Sequence, residues 1–324
     1  MQALNLLDTN LLNAFVTIAE AQSLTDAAKR LGITQSAVSQ TLRQLEQTLG
    51  VELVVRRTSP VRLTVAGNVL KQNADTILGE LRRLNAAVRE AAETGFAQCR
   101  LGLVTSFSEV FGSKLIASLG SQTERLTLRS GLTPALAEAF LDREIDILIS
   151  NEPLTDVDGL QRFRLLRDPM LLVAAEGLIE NAGSFSLRRL AGSQPMIKYS
   201  RNNPIGIYSE VVLRRIDLPV EVRFETDDTH ALMNFVRDGH GWAIVSAICL
   251  AQSLYLLDGV KINELDKSRH ARDIYLLARE GEMGAIPLRI SSAIRTIFND
   301  SVYPRLRATA PWLRMAHFDW PQET

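Results

Sequence analysis

The stretch from Ser23 to Leu49, SLTDAAKRLGITQSAVSQTLRQLEQTL, constrains this chain more than any other. Thr25 precedes an Ala-rich run and is read as a helix N-cap. Ala27, Ala28 and Leu31 recur at helical spacing, and their small side chains let a second helix approach closely. Gly32 follows, where a helix commonly ends in a left-handed residue that glycine adopts without strain. Ile33 is expected to point back into the core. Thr34 caps a second helix with an apolar stripe of Ala37, Val38, Leu42, Leu45 and Leu49. Its opposite face carries Gln35, Ser36, Ser39, Gln40 and Arg43, uncharged to basic. A buried support helix followed by a helix with such a face is the helix-turn-helix layout, suited to a DNA major groove. Ser, Thr, Gln and Arg there can bond base edges or phosphates. An ordinary helical hairpin with a solvated face would share this pattern, but the next residues weigh against it. Val51 to Thr64, VELVVRRTSPVRLT, reads as a two-stranded wing turning at Ser59-Pro60. Arg56, Arg57 and Arg62 crowd that wing, as suits a DNA backbone or minor groove.

These residues resemble the N-terminal winged helix-turn-helix of LysR-type transcriptional regulators. The resemblance rests on Phe15, the Ala27-Ala28 pair, Ser36 to Ser39, Leu45-Glu46, Leu49-Gly50, Arg56-Arg57, and Leu63-Thr64 with Ala66-Gly67. Many members carry Phe in the wing where this chain has Val54. The motif covers about the first fifth of the chain, and the rest agrees by layout. The resemblance implies a DNA-binding domain over 1–64, contacting an operator through Thr34, Gln35, Ser36, Ser39, Gln40, Arg43, Arg56, Arg57 and Arg62. It implies a linker and dimerisation helix with a hinge over 65–95, and an effector-binding regulatory domain over 96–324.

The linker can be read directly. Asp8 and Asn10 start a first helix through Leu11, Phe15 and Ile18, and Thr64 caps a long one from about Val65 to Ala92. Its apolar positions Leu70, Ala74, Ile77, Leu81, Leu84, Val88 and Ala91 alternate steps of four and three, a pairing rhythm rather than the broader stripe of a helix lying on its own domain. In the family this helix joins two chains antiparallel into a homodimer, and a homotetramer through the effector domains is expected. Glu93-Thr94-Gly95 reads as the hinge. The chain as a whole is no polycation: 36 Lys and Arg against 37 Asp and Glu give a net charge of -1. DNA affinity must therefore come from local clustering and a second copy. Met1 to Asn10 lacks a basic segment before an apolar core, and no apolar run reaches the ~18 residues a membrane span needs. A cytoplasmic protein with no membrane partner is expected.

From Gln98 onward strand-like and helix-like runs alternate. Strands are predicted at Arg100–Thr105, Arg125–Ser130, Ile145–Ile149, Arg162–Arg167, Met170–Ala175, Met196–Tyr199, Val220–Thr226, Trp242–Val245, Val260–Leu265 and Ile274–Ala278. A helix capped by Thr133, with Pro134 in its first turn, follows the second strand, and a long closing helix spans Ala285 to Ser301. Such alternation implies an α/β fold with a mainly parallel sheet. By resemblance it forms two periplasmic-binding-protein-like lobes, 97–164 with 268–324 and 165–267. The chain would cross between them near Phe163 to Asp168 and return near Leu265 to Arg272.

Ligands of open α/β sheets bind beyond the carboxyl ends of the strands. That rule selects Thr105, Ser106, Ser108, Leu132, Thr133, Ser150 and Asn151 from one lobe. From the other it selects Ser200, Arg201, Asn202, Asn203, Thr226, Asp227 and Asp228. Of these, the expected effector-binding residues are Thr105, Ser106, Thr133, Ser150, Ser200, Arg201, Asn202, Asn203 and Thr226. Hydroxyls and amides near helix N-termini suit a small organic anion, although each residue would serve equally as a helix cap. Lys198 and Arg201 are either counter-charges or solvated surface, and Asp227 and Asp228 either partners for a ligand amine or caps. No cofactor, metal spacing among His230, His240, His270 and His317, P-loop, nucleophile elbow or dinucleotide fingerprint is present, so an α/β enzyme is a distant alternative. A thiol-based redox-sensing regulator using Cys99 or Cys249 is the other. It would need an exposed, electropositive cysteine, whereas Cys249 sits between Ile248 and Leu250.

Overall fold

The computed structural model describes residues 7–55, 60–91, 96–120, 123–180, 186–265 and 269–321. It divides into two compact units, Met1–Val88 and Arg89–Thr324.

In the first unit α1 (Thr9–Glu20) starts at Asp8, whose carboxylate accepts the Asn10 N–H at 2.9 Å. α2 (Leu24–Leu31) is capped by Ser23 rather than Thr25. Ser23 Oγ accepts the Asp26 N–H at 3.1 Å while Asp26 accepts the Gln22 N–H at 3.1 Å. This back-and-forth pairing needs an acid three residues past the cap, which Ser23 has and Thr25 lacks. α2 ends at Gly32, φ 67°. Ile33 does not return to the core: it is 44% exposed. The narrow face made by Ala27 and Ala28 is already covered in the cluster that holds Val38, Leu42 and Leu45. α3 (Gln35–Leu49) is capped by Thr34, whose Oγ1 accepts the Ala37 N–H at 3.2 Å. Leu49, in its last turn, is exposed rather than part of the buried stripe. The wing has two short antiparallel strands, β1 (Val54–Val55) and β2 (Arg62–Leu63); Ser59 lies outside the described residues.

Thr64 joins the wing to α4 (Val65–Ala91), accepting the Gly67 N–H at 3.0 Å and donating to the Glu52 carbonyl at 2.7 Å. The approach is so close that a Cβ on Gly67 would sit 2.0 Å from the Leu53 carbonyl oxygen. α4 shows two apolar faces where the seven-residue rhythm suggested one. Ala74 and Leu78 pack with Leu12 and Val16 of α1, while Ile77, Leu84 and Val88 are 47%, 59% and 60% exposed. Glu93 to Gly95 lie outside the described residues.

The second unit alternates β3 (Phe96–Val104), α5 (Thr105–Leu119), β4 (Thr123–Gly131), α6 (Thr133–Leu141) and β5 (Ile147–Ser150) before one long strand, β6 (Leu160–Ala175). It continues with α7 (Glu176–Glu180), α8 (Leu187–Ser193), β7 (Met196–Tyr199), α9 (Pro204–Arg215), β8 (Val222–Thr226), α10 (Thr229–Arg237), β9 (Trp242–Ser246) and α11 (Ala247–Gln252). β10 (Val260–Glu264), β11 (Ala271–Arg279), α12 (Ile286–Ile297) and α13 (Tyr303–Thr309) close it. Among the described residues these strands form one sheet ordered β4-β3-β5-β11-β6-β9-β7-β8, with β10 also on β6.

The sheet is mixed rather than mainly parallel. β3, β4 and β5 run parallel, as do β7, β8 and β9, but β6 and β11 pair antiparallel with their neighbours. The two extended runs around Asp168 are a single strand. β6 pairs with β11 as far as Pro169, then with β9 and β10 from Met170 or Leu171 onward. A proline cannot donate to a ladder, so the change of partner falls where little bonding is lost. The closing helix is broken: α12 passes through a π-turn at Phe298–Val302 into α13. Pro304 sits in the first turn of α13 and lacks the N–H a regular helix would need there.

Candidate functional sites: a helix face and a cleft

On α3, Gln35, Ser36, Gln40 and Arg43 are exposed and Ser39 is half-buried; Ser36, Gln40 and Arg43 lie on the face opposite Val38, Leu42 and Leu45, Ser39 flanks it, and Gln35 is the first residue of the helix. The Thr34 and Ser36 hydroxyls bond each other at 2.9 Å. Gln35, Gln40 and Arg43 make no side-chain hydrogen bond among the described residues, so their polar groups face solvent uncommitted. Arg62 is exposed on β2; Arg56 and Arg57 lie outside the described residues.

In the second unit one cleft gathers the starts of four helices. It is lined by Val104, Thr105 and Ser106 at α5, Gly131, Leu132 and Thr133 at α6, Asn203, Pro204 and Ile205 at α9, and Asp227, Asp228 and Thr229 at α10. Asn151, Cys249, Gln252 and Arg272 complete it. Its cavity volume is about 60 Å³, room for several waters or for part of a small molecule.

Of the expected effector residues, Thr105, Ser106, Thr133 and Asn203 line this cleft. Ser150, Ser200, Arg201, Asn202 and Thr226 do not. Ser150 Oγ donates to the Glu152 carbonyl at 3.0 Å and accepts the Glu152 N–H at 3.2 Å. Thr226 Oγ1 accepts the Asp228 N–H at 3.2 Å, and exposed Arg201 pairs with Glu210 at 3.4 Å. The Ser200 N–H donates to the Thr226 carbonyl at 2.9 Å, and Asn202 is exposed. Lys198 is buried and paired with Glu210, holding that carboxyl below its ordinary range chiefly through their hydrogen bond.

The caps of the cleft differ from expectation in one place. Thr133 is the first residue inside α6, not its cap; Leu132 holds the cap position and no side chain accepts the first amides. The Thr133 hydroxyl instead donates to Asn151 Oδ1 at 2.7 Å. α5 likewise starts at Val104 without a side-chain cap. By contrast α9, α10 and α11 are capped by Asn203, Asp228 and Ser246.

Beneath the cleft lies a buried ion pair that the residue pattern did not reveal. Arg272 on β11 and Asp168 on β6 are cross-strand partners, 3% and 0% exposed. Arg272 Nε donates to Asp168 Oδ2 at 2.9 Å, and Nη2 to Ser106 Oγ at 3.1 Å and Ser246 Oγ at 3.2 Å. Asp168 Oδ1 accepts the Ile248 N–H at 3.0 Å. Burial works against the charge of Arg272, but its surroundings, with the Asp168 carboxylate foremost, keep the guanidinium pKa above its ordinary value. Both residues stood at the ends of the predicted crossings between lobes. Their pairing depends on the β6/β11 register, which no local pattern encodes.

Both cysteines are buried. Burial, with a smaller contribution from Asp146, pushes the Cys99 thiol up to about 12. Among the described residues no group of His, Cys, Asp and Glu could hold a metal ion, and no helix is long and apolar enough to cross a membrane.

Residues 9–68 match the family model described as bacterial regulatory helix-turn-helix protein, lysR family, and residues 95–287 match the LysR substrate binding domain. The chain is 26% identical over 244 residues to the HTH-type transcriptional regulator BbuR of Bordetella bronchiseptica, covering 75% of each. It is 28% identical over 250 residues to the regulator TdcA of Escherichia coli, covering 73% of this chain and 76% of that one. Full-length OxyR from Pseudomonas aeruginosa, solved as a cysteine-to-aspartate variant, shares the fold with a TM-score of 0.69 at 17% identity, over 98% of this chain and 99% of that chain. Full-length LysG from Corynebacterium glutamicum, solved with the effector Arg bound, does so with a TM-score of 0.57 at 20% identity, over 90% and 98%.

Proposed function

The chain belongs to the LysR family of bacterial regulatory helix-turn-helix proteins, and on that premise we propose how this DNA-binding transcription regulator divides its work. α3 enters the major groove of an operator with Gln35, Ser36, Ser39, Gln40 and Arg43. The wing, through Arg56, Arg57 and Arg62, follows the backbone or the minor groove. The exposed apolar face of α4 pairs with a second copy, so that two helix-turn-helix heads read two half-sites; effector domains extend the assembly to a tetramer. The second unit senses a small molecule in its cleft, between lobes that meet where β6 changes partners at Pro169. A ligand that binds one lobe arrangement more tightly shifts the population toward it.

The observation that carries this reading is the α3 face: Gln35, Gln40 and Arg43 project from a capped, well-supported helix with no partner among the described residues. Duplexes selected from a randomised pool supply the probe. Arg43→Ala should then weaken binding in an anisotropy titration while the far-ultraviolet spectrum stays unchanged. A phosphate contact lowers affinity for all sequences and reduces the salt slope by about one; a base contact relaxes preference at one position. Unaltered affinity and slope for both Arg43→Ala and Gln40→Ala would remove α3 from the interface.

A further inference from the structure

The cleft's polar groups divide by sign, and that division selects a chemical class of ligand. Its floor and one wall are built to receive an anion. Arg272 is 3% exposed and lines the cleft, yet among the described residues its Nη1 makes no hydrogen bond, the other guanidinium nitrogens being held by Asp168, Ser106 and Ser246. A guanidinium clamped at two nitrogens presents its remaining N–H groups in a fixed direction, which suits a planar carboxylate. The starts of α5 and α6 line the same space without side-chain caps. Their first amides and dipoles add to the attraction.

The remaining groups oppose a simple anion. Asp168 already balances the charge of Arg272, and Asp227 and Asp228 line the cleft as well, Asp228 with one carboxylate oxygen held by the Ala231 N–H at 2.7 Å. Gln252 also lines it, and its Oε1 is buried with no hydrogen-bond partner. A buried acceptor left without a donor is unfavourable. A carboxylate alone offers no N–H to supply one, and it adds negative charge beside Asp227 and Asp228. A ligand that carries an ammonium group as well as a carboxylate meets both demands.

We propose that the cleft recognises an amino acid or a similar small zwitterion, its carboxylate at Arg272 and the open ends of α5 and α6, its ammonium toward Gln252 Oε1 and the Asp227–Asp228 carboxylates. This rests on the reading of the cleft as the sensory site.

The test uses the full chain and thermal-shift measurements with the common L-amino acids. Each is compared with its deaminated carboxylic acid and its decarboxylated amine. Stabilisation by at least one amino acid, and by neither of its two halves at the same concentration, is the expected result. Calorimetry with that amino acid should then show Gln252→Leu weakening it by about tenfold or less, the loss of one hydrogen bond, while selected duplex DNA binds as before. Equal stabilisation by the deaminated acid, or by the amine alone, overturns the zwitterion and leaves the cleft as the sensory site. So does silence from every amino acid. Thr105→Trp, which puts an indole at the cleft wall, separates the two readings. If an amino acid binds wild type and Thr105→Trp with the same affinity, the ligand lies elsewhere and the cleft itself is not the sensory site.

Discussion

Replacing Asp168 with Ala should cost the second unit much of its stability. The wild-type carboxylate is fully buried, 2.9 Å from Arg272 Nε and 3.0 Å from the Ile248 N–H. Removing it leaves a guanidinium that is 3% exposed without its counter-charge. Breaking a buried pair from one side costs about 3–5 kcal/mol. The Ile248 amide, at the start of α11, also loses its acceptor, which alone is worth about 1–3 kcal/mol. The two losses overlap, so about 4 kcal/mol is a fair expectation, against a typical total of about 5–15 kcal/mol for a domain. Trp242, Trp312 and Trp320 are the chain's three tryptophans and all lie in the second unit, so intrinsic fluorescence during urea unfolding reads that unit. With a slope of about 3 kcal/mol per molar, the midpoint should fall by more than about 1 M with the slope unchanged. Asp168→Leu combined with Arg272→Met removes both charges and should recover more than half of the loss, since apolar replacements of buried pairs are often neutral. A single variant within about 1 kcal/mol of wild type, or a double variant less stable than the single, would refute the account of the pair.

Other outcomes follow from separate features. Leu81→Asp with Leu84→Asp places two charges on the apolar face of α4, where Leu81 is half-buried and Leu84 exposed, and should lower the assembly's mass in light scattering; unchanged mass would remove that face from the assembly. Glu210→Gln should lower stability by about 1 kcal/mol at neutral pH, because buried Lys198 loses its counter-charge. Glu210's folded pKa is depressed, so its stabilisation is complete above the unfolded value near ~4.3 and is lost as pH falls through the lower folded value. Acid titrations of wild type and Glu210→Gln should therefore converge on the acid side, and parallel curves would argue against the pair. Cys99, with its thiol raised to about 12 and 1% exposed, should resist iodoacetamide at pH 8 in the folded chain and react only after unfolding, as peptide mapping would show.

What the residues determined by themselves was mostly local. The turn at Gly32, the caps at Thr34 and Thr64, the apolar stripe of α3 and the polar face opposite it are all set by neighbours within a few positions. Each was legible for that reason. Even there one cap moved: Ser23 rather than Thr25 begins α2, because Asp26 completes its hydrogen-bond pair. The α4 rhythm was readable as a pairing signal, but its division into a face against α1 and a face left bare required the packing of Leu12 and Val16. In the second unit the strands were legible one by one, from short apolar runs. Their directions were not, since the antiparallel return of β6 and β11 is a property of the sheet. The cleft shows the same boundary. Thr105, Ser106, Thr133 and Asn203 follow from the rule that ligands gather past strand ends, whereas Ser150, Arg201 and Thr226 obey the same local pattern and turn their groups to nearby backbone or ion partners. Arg272 and Asp168 stand 104 residues apart in the chain, and only the β6/β11 register brings them together. Hydrogen bonding within a turn is written in adjacent residues; the pairing of two buried charges is decided by which strands lie side by side.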